Sequence, residues 1–472
     1  MRESAVLMPI SSLPSNGHIG SFSLAAYRFA ELIKKAGFSC WQILPLNPLG
    51  YGNSPYQPLS SNAIDEIYLS LEELKNDGLI DDYPKFNSPT VNYDAARKMK
   101  REALQKAFKR FEVNDEYRNF TTLAWVQEYA IFVTMRELEG HKCWISWRKE
   151  FIDFGINRNP DVIKPYLHII AYHIFAQYIL LKQFKKLKAY LSKLNIKLIG
   201  DVPFYVGLDS SDVYFNRQCF LLDDKGNPTK VAGVPPDYFS KTGQRWGNPI
   251  YDWNYLKAHN YQFLLDRLAY NSELYDILRL DHFRAYDTYY QIEAKEDTAI
   301  NGEWVINDGY NFFNELYRQY PSIELIAEDL GDIREEVRTL RDYYRLAGMH
   351  VLEFEMFKPS INNEIVYIGT HDNESFIAWY KTLDSDTKNR LHKLFKISNE
   401  KDIVDQCIDY ALSLKAKLVI ISIIDLLKEN KRINTPGTTF SPNWEYRIKD
   451  YQLLEKRLKK IRRLNQKRGR HG

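Results

Sequence analysis

The chain has 472 residues, of which 44% are hydrophobic and 26% charged, and these are ordinary proportions for a globular protein. Its formal net charge of +3 argues against nucleic acid as an obligate partner. The cysteines show neither a disulfide framework nor a metal-ligand spacing. The N-terminal apolar stretch is too short for a signal peptide, and the segment 166–181 predicts a buried helix, not a membrane span. We therefore expect a cytoplasmic protein without membrane contact.

Short apolar segments rich in β-branched residues alternate along the chain with amphipathic helical stretches. This alternation is typical of βα units around a parallel sheet. It predicts an α/β protein of the (β/α)8 TIM-barrel class. The predicted strands are 4–10, 40–47, 196–205, 277–283, 325–330, 349–355, 366–372 and 418–426.

The uneven spacing between these strands indicates insertions. About 150 residues separate the second strand from the third, which is far more than one crossover helix needs. We expect a mainly helical insertion at 50–190 and a second insertion, with an aromatic flap loop, at 206–260. No linker or internal repeat divides the sequence. Residues 1–472 are therefore predicted to form a single catalytic barrel without a separate C-terminal β-domain.

The C-terminal segment 456–472 is strongly basic, with nine Lys or Arg residues. Such a segment could contact RNA or an anionic surface. The alternative is the solvated end of a last helix followed by a frayed terminus. We favour the second interpretation.

Three acidic motifs follow apolar strands: LRLDHF with Asp281, LIAEDLG with Glu328 and VYIGTHDN with Asp372. Polar side chains at the carboxyl ends of barrel strands gather at one mouth of the barrel. A nucleophilic carboxylate and a general acid placed there can cleave a glycosidic bond with retention of configuration, and a third can stabilise an oxocarbenium-like transition state. Each residue alone is more often structural, but the repeated pattern favours catalysis.

The neighbours of these carboxylates refine the hypothesis. Arg279 should project beside Asp281 and favour its ionised form. Partial burial and nearby carboxylates should raise the pKa of Glu328, as a general acid requires. We expect the two carboxyl groups to lie about 5–5.5 Å apart. His282 and His371 are expected to donate to sugar hydroxyls, or else to be partly buried histidines with satisfied hydrogen bonds.

The motifs resemble those of glycoside hydrolase family 77, the 4-α-glucanotransferases, also called amylomaltases or disproportionating enzymes. The resemblance extends along the whole chain and is most specific in GVPPDYFSKTGQRWGNPIYDW at 233–253. Further matching segments are PISSLPS (9–15), WQILPLNPLGYGNSPYQ (41–57), IGDVPFYV (199–206), LRLDHFRAY (278–286), AEDLG (327–331), GTHDN (369–373) and RINTPGT with NWEYRI (432–448).

This resemblance implies transfer of α-1,4-glucan segments to an acceptor glucose or glucan through a covalent glycosyl-enzyme, without a cofactor or a metal. It implies that Asp281 is the nucleophile, Glu328 the acid and base, and Asp372 the transition-state stabiliser. Asp201 could contact sugar or instead orient Arg279. The implied sugar contacts are Tyr56, Asp201, Tyr238, Trp246, Arg279, His282, His371 and Asn443, with Tyr238 and Trp246 in the flap loop.

Two alternatives remain open at this point. An α-glucan hydrolase of the amylase type would use the same carboxylates with water as the acceptor. A non-catalytic glucan-binding protein would have descended from such an enzyme, but the three intact carboxylates argue against it. The sequence does not distinguish a monomer from a homodimer.

Overall fold

The computed structural model describes residues 2–86, 88–236, 240–360, 363–397, 400–438 and 442–470. The strands found in these ranges are β1 Glu3–Leu7, β2 Cys40–Gln42, β3 Lys197–Val202, β4 Lys230–Val234, β5 Gln244–Pro249, β6 Ile277–Leu280, β7 Thr288–Glu293, β8 Glu303–Ile306, β9 Leu325–Ala327, β10 Gly348–Val351, β11 Glu364–Tyr367 and β12 Leu418–Ser422.

The α-helices found in the same ranges, besides several short 3-10 turns, fall between or after these strands. They are α1 Leu24–Lys35, α2 Leu71–Asn76, α3 Tyr93–Arg110, α4 Asp115–Thr121, α5 Ala124–Leu138, α6 Lys149–Asn157, α7 Pro160–Ile163, α8 Leu167–Lys193, α9 Ser211–Phe215, α10 Trp253–Ala258, α11 Gln262–Leu274, α12 Gly309–Gln319, α13 Glu335–Tyr343, α14 Leu352–Glu355, α15 Phe376–Thr382, α16 Ser385–Phe395, α17 Ile403–Ser413, α18 Ile423–Leu426 and α19 Gln452–Arg468.

Eight strands pair in parallel in the order β10-β11-β12-β1-β2-β3-β6-β9. The ring closes between β9 and β10, where the Ala327 amide donates to the Ala347 carbonyl at 2.8 Å. Around the ring these strands follow their order in the chain, and each overlaps one predicted strand, so the predicted (β/α)8 barrel is confirmed. Its strands consist of buried apolar residues, such as LVIIS in β12. Each buried Val, Leu or Ile contributes roughly 1.5–3 kcal/mol.

The predicted strands are wrong at their carboxyl ends, where most extend too far. The strand predicted at 277–283 ends at Leu280, and the one predicted at 366–372 ends at Tyr367. After Leu280 the chain turns because His282 adopts a left-handed conformation with φ 51°. The polar segment predicted to end the later strand, around Asp372, forms a turn in which the Thr370 amide donates to Asn373 Oδ1. The acidic motifs therefore begin where the strand ladder stops.

A second sheet has four antiparallel strands in the order β5-β4-β7-β8. Its first two strands follow β3 in the chain and its last two follow β6. The second sheet therefore extends from the carboxyl ends of two adjacent barrel strands, β3 and β6. It places Trp246 on β5 at that end of the barrel.

Helices α2 to α8 lie between β2 and β3 in the chain. The longest of them, α8, includes the segment 166–181 almost entirely, and its apolar residues are buried against α5, α1 and β3. The expected buried helix is thereby confirmed. Within the described ranges, no helix is long and apolar enough to cross a membrane.

After β12, the described residues contain helices but no further strand. The basic helix α19 packs on α17, where Arg457 and Lys460 form ion pairs with the buried Asp405. Beyond its end, the fully buried Arg470 donates to four backbone carbonyl oxygens, including those of Leu412 and Glu3, both at 2.7 Å. The interpretation as a frayed terminus is therefore wrong as far as residue 470, because these contacts fix the segment to the barrel.

Candidate active site

Asp281 directly follows β6 and is held by Arg279. Asp281 Oδ1 accepts a hydrogen bond of 2.9 Å from Arg279 Nη1, which also donates to Asp201 Oδ1 at 2.7 Å. The predicted joint projection of Arg279 and Asp281 is thus confirmed. The Arg279 and Asp201 side chains are 5% and 0% exposed, whereas that of Asp281 is 28% exposed. Asp281 is therefore the member of this group that an incoming ligand can reach.

Glu328 directly follows β9, the strand beside β6. Its amide donates to the Leu280 carbonyl at 3.0 Å, and the Phe283 amide donates to its carbonyl at 3.0 Å. Its side-chain Oε2 accepts from the His282 amide at 2.7 Å, and Oε1 accepts from the Leu330 amide at 3.1 Å. Backbone groups on both sides of Glu328 thus hold its carboxyl group next to the motif that carries Asp281.

The pKa values of these two carboxyl groups are both raised. Burial raises the pKa of Asp281 to about 6, against the opposing effect of Arg279. Burial also raises the pKa of Glu328 to about 7, and the negative charge of Asp281 adds to the rise. The expected rise in the pKa of Glu328 is present. Arg279 lowers the pKa of Asp281 as expected, but burial outweighs this effect. Both carboxyl groups therefore hold a proton more tightly than an exposed carboxyl group does, and the hydrogen bond from Arg279 favours the ionised form of Asp281.

Asp372 lies in the turn after β11, and 42% of its side chain is exposed, against 28% for Asp281. Its Oδ1 accepts from Asn434 Nδ2 at 2.7 Å. Its backbone oxygen accepts from Arg432 Nη2 at 2.6 Å. Asn434 and Arg432 lie in the matched segment RINTPGT, but the sequence did not single them out as site residues. The nearest signal was their place in that matched segment.

Tyr56 and His371 connect Asp372 with the other two motifs. The Tyr56 hydroxyl donates to Asp201 Oδ2 at 2.7 Å and lies 2.7 Å from His371 Nε2. Burial, and then the charge of Asp201, raise the pKa of Tyr56 well above its usual value, so the hydroxyl keeps its proton. His371 Nε2 lies 3.4 Å from Asp372 Oδ2. Continuous contacts thus run from Asp372 through His371, Tyr56, Asp201 and Arg279 to Asp281.

His282 and Trp246 form an aromatic wall beside these carboxylates. The two rings lie 4.9 Å apart and nearly perpendicular, at 82°. Burial lowers the pKa of His282 to about 4, so the imidazole is neutral near pH 7. His282 Nε2 and His371 Nδ1 are buried and have no hydrogen-bond partner among the described residues. These free nitrogens favour the sugar-contact interpretation of both histidines over the satisfied one.

Three further residues were predicted to contact sugar: Asp201, Asn443 and Tyr238. Both oxygens of Asp201 are occupied by Arg279 and Tyr56, which favours the alternative that Asp201 orients Arg279. Asn443 accepts from the Thr435 amide at 3.0 Å and donates to Thr438 Oγ1 at 2.7 Å, so its amide holds its own loop. Tyr238 lies outside the described residues.

Trp444 is an aromatic residue that the sequence did not predict for the site. Its ring centre lies 6.0 Å from those of both Tyr56 and His371. The matched segment NWEYRI contains it, but only the preceding Asn443 was predicted. Trp444 therefore extends the aromatic lining next to Asp372.

Throughout the described ranges, no group of three or more His, Cys, Asp or Glu side chains could hold a metal ion.

Comparison with known proteins finds similarity over nearly the whole length of the chain. The family profile described as 4-alpha-glucanotransferase matches residues 8–453. The chain is similar to the 4-alpha-glucanotransferase of Aquifex aeolicus, with 36% identity over 98% of both chains. It is similar to that of Clostridium butyricum, with 36% identity over 98% of this chain and 100% of the other. A solved amylomaltase from Streptococcus agalactiae in complex with acarbose superposes with a TM-score of 0.95 at 30% identity, over 100% of both chains. The chain belongs to the 4-alpha-glucanotransferase family.

Proposed function

We propose that Asp281 is the nucleophile, Glu328 the general acid and base, and Asp372 the transition-state stabiliser of glucan transfer by this enzyme. Membership in the family makes the chain a transferase of α-1,4-glucan segments. The observation that carries the residue assignment is the set of contacts that joins Asp372 to Asp281, together with the backbone hydrogen bonds that hold Glu328 beside the Asp281 motif. The hydrogen bond from Arg279, which favours ionised Asp281, and the raised pKa of Glu328 support their roles.

In the first half of the reaction, Asp281 attacks the anomeric carbon of the donor sugar. Arg279 occupies Oδ1 of Asp281, and no described residue donates to Oδ2, so we assign the attack to Oδ2. The bond from the anomeric carbon to the leaving oxygen breaks as Glu328 gives that oxygen its proton. The product is a covalent glycosyl-enzyme with the donor glucan on Asp281, and Glu328 is left ionised.

In the second half, Glu328 removes the proton from the 4-hydroxyl of an acceptor glucose or glucan. The oxygen attacks the anomeric carbon, displaces Asp281 and forms a new α-1,4 bond. Two inversions give overall retention. The negative charge of Asp372 stabilises the positive charge that develops on the sugar ring in both steps.

Transfer requires an acceptor sugar to outcompete water, and the aromatic residues of the site support this. Trp246 and Tyr56, which are partly exposed, offer flat apolar surfaces on which sugar rings can stack. A stacked acceptor excludes water and places its hydroxyl for attack. These contacts favour transfer over the alternative of an amylase-type hydrolase.

Incubation of the purified enzyme with maltotriose tests this proposal. We expect glucose and a ladder of longer maltooligosaccharides, because each covalent intermediate is resolved by another sugar. Only shorter products would identify a hydrolase, and unchanged maltotriose would identify a non-catalytic glucan-binding protein. Asp281→Asn serves as the inactive control.

We further infer that residues 1–472 form one catalytic unit, with a mainly helical insertion at 50–190 and a second insertion at 206–260. Helices α2 to α8 between β2 and β3, and strands β4 and β5 between β3 and β6, support these boundaries. α-1,4-Glucans and glucose are the proposed partners, with a cytoplasmic location and without nucleic acid or membrane. The choice between monomer and homodimer is open to measurement by light scattering.

A further inference from the structure

Glu353 lies directly behind the turn that carries Asp372. It belongs to the short helix α14, which follows β10, and β10 pairs in parallel with β11. The Glu353 amide extends this pairing by donating to the Ile368 carbonyl at 3.3 Å. Glu353 is only 8% exposed. The barrel ladder therefore fixes Glu353 beside the residues from which the Asp372 turn begins.

The side chain of Glu353 holds this turn through Asn373. Glu353 Oε2 accepts from Asn373 Nδ2 at 3.1 Å. Asn373 Oδ1 in turn accepts from the Thr370 amide at 2.9 Å and from Thr370 Oγ1 at 2.8 Å. Thr370 Oγ1 also accepts from the Asp372 amide at 3.2 Å. Glu353 is thus the fixed end of a hydrogen-bonded chain that closes around Asp372.

A second buried carboxyl group, Asp425 on α18, anchors the end of the same segment. It is 1% exposed, and its Oδ1 accepts from the Phe376 amide at 2.7 Å. Glu353 Oε1 and Asp425 Oδ2 are both buried without a hydrogen-bond partner among the described residues. Two carboxyl groups therefore brace the segment from neighbouring elements.

The surroundings of Glu353 favour its uncharged form. Burial, and then the charge of Asp425, raise its pKa to about 9, with Glu374 adding to the rise and Asn373 and Arg432 opposing it. A protonated carboxyl group still accepts a hydrogen bond through its carbonyl oxygen. The contact with Asn373 needs such an acceptor and does not need a negative charge.

We propose that Glu353 is a positioning residue for glucan transfer, which acts through Asn373 to keep the Asp372 carboxylate aligned with the reacting sugar. Glu353 itself touches no substrate. The inference rests on the proposed role of Asp372 as transition-state stabiliser. It assigns a function to a carboxyl group on a barrel element for which the sequence predicted no site residue.

The first test compares Glu353→Leu with Glu353→Gln in maltotriose disproportionation at pH 7. Leucine fills the space without an acceptor, so we expect kcat to fall by about 30- to 100-fold, as for a small displacement of a catalytic group. KM should change less than threefold, because Asp372 acts mainly in the transition state. Glutamine keeps the carbonyl acceptor and should retain at least a third of kcat.

The matched control is Glu355→Leu, on the same short helix. Glu355 pairs with Lys358 and His350 and makes no contact with the Asp372 turn. This variant should keep kcat within twofold of the wild type. A loss in Glu355→Leu equal to that in Glu353→Leu would overturn the proposal, because it would show a general requirement for an intact α14.

A double-mutant cycle tests the route through Asn373. Asn373→Ala alone should lower kcat as much as Glu353→Leu, and the double variant should lose no more than the worse single variant, since both break one chain of contacts. Losses that multiply would overturn the proposal. Asp372→Ala separates the two hypotheses. If it is inactive while Glu353→Leu is fully active, the positioning role fails alone, whereas an active Asp372→Ala defeats the proposed role of Asp372 itself.

Discussion

The three proposed catalytic carboxylates are held differently on two sides of the barrel mouth. On one side, Asp281 and Glu328 come immediately after β6 and β9, and backbone hydrogen bonds between these neighbouring strand ends fix them. On the other side, Asp372 lies five residues beyond the end of β11 at Tyr367. Side chains from other segments, above all Asn434, hold it there.

This difference separates what substitutions can do on each side. Because the backbone places Asp281 and Glu328, a change in either side chain removes its chemical group and leaves the position intact. Asp372 can lose its alignment through a change at a residue far away in the chain. On the first side, activity therefore depends on Asp281 and Glu328 themselves. On the second side, it also depends on the residues that hold Asp372 in place.

Asp281→Asn should have the largest effect. The amide cannot form the covalent intermediate, and we expect kcat for maltotriose disproportionation to fall by about 10³-fold or more. The melting temperature should stay within a few degrees of that of the wild type, since Arg279 keeps an oxygen acceptor. Initial rates of glucose release and thermal unfolding measure the two quantities. Turnover close to that of the wild type would refute the assignment of the nucleophile.

Glu328→Gln should lower kcat for transfer from maltotriose by a similar factor, because the leaving oxygen no longer receives a proton. A maltosyl fluoride donor needs no such proton, so the first step should recover. With this donor, we expect release of about one equivalent of fluoride per enzyme, followed by slow turnover, because no base activates the acceptor. Fluoride release followed by an ion-selective electrode checks this. Equal loss with both donors would contradict the role of Glu328 as the acid.

The positions of Asp281 and Glu328, which the backbone fixes, could also be predicted from the sequence. Apolar runs such as those that contain ILRL and LIA alternate with amphipathic helical stretches. This alternation revealed the strands, and the carboxylates followed from the strand ends. The sequence also showed that Arg279 lies beside Asp281. It did not show how deeply the pair is buried, and burial outweighs Arg279 in the pKa of Asp281.

The supports of Asp372 could not be predicted, because they depend on how remote loops fold. Asn434 is 62 positions from Asp372, and Glu353 is 20 positions from Asn373. Asn434 and Asn443 lie in the same matched segment, 432–448, and carry the same side chain. Only the loop conformation decides that Asn434 reaches Asp372 while Asn443 bonds to Thr435 and Thr438.

Asn434→Ala should therefore lower activity without touching a carboxylate. It removes the 2.7 Å hydrogen bond to Asp372 Oδ1, and we expect kcat to fall by about 10-fold, which corresponds to about 1.4 kcal/mol of transition-state stabilisation. Asn443→Ala is the matched control for a nearby amide, and its effect should fall mainly on the melting temperature through its loop. Steady-state kinetics of both variants decide the comparison. A larger loss of kcat in Asn443→Ala would restore the original sequence-based assignment.

The smallest effect on activity belongs to Glu353→Gln, whose main consequence is for stability and its dependence on pH. The pKa of Glu353 is raised to about 9 by burial and by Asp425, whereas a glutamate in the unfolded chain titrates near ~4.3. Between these values the folded protein binds one proton more than the unfolded protein, so the free energy of unfolding falls as the pH rises. Glutamine has no such proton, and Asp425 titrates in both proteins. The free energy of unfolding of Glu353→Gln should therefore rise relative to that of the wild type from about pH 5 to pH 9, and this margin should grow by no more than about 1.4 kcal/mol per pH unit. Thermal unfolding across this range measures the margin, with Glu355→Gln, a change at a partly exposed side chain of the same helix, as the control. A margin that does not change with pH would mean that Glu353 is already ionised in the fold, and that a charge, rather than a neutral acceptor, holds the Asp372 turn.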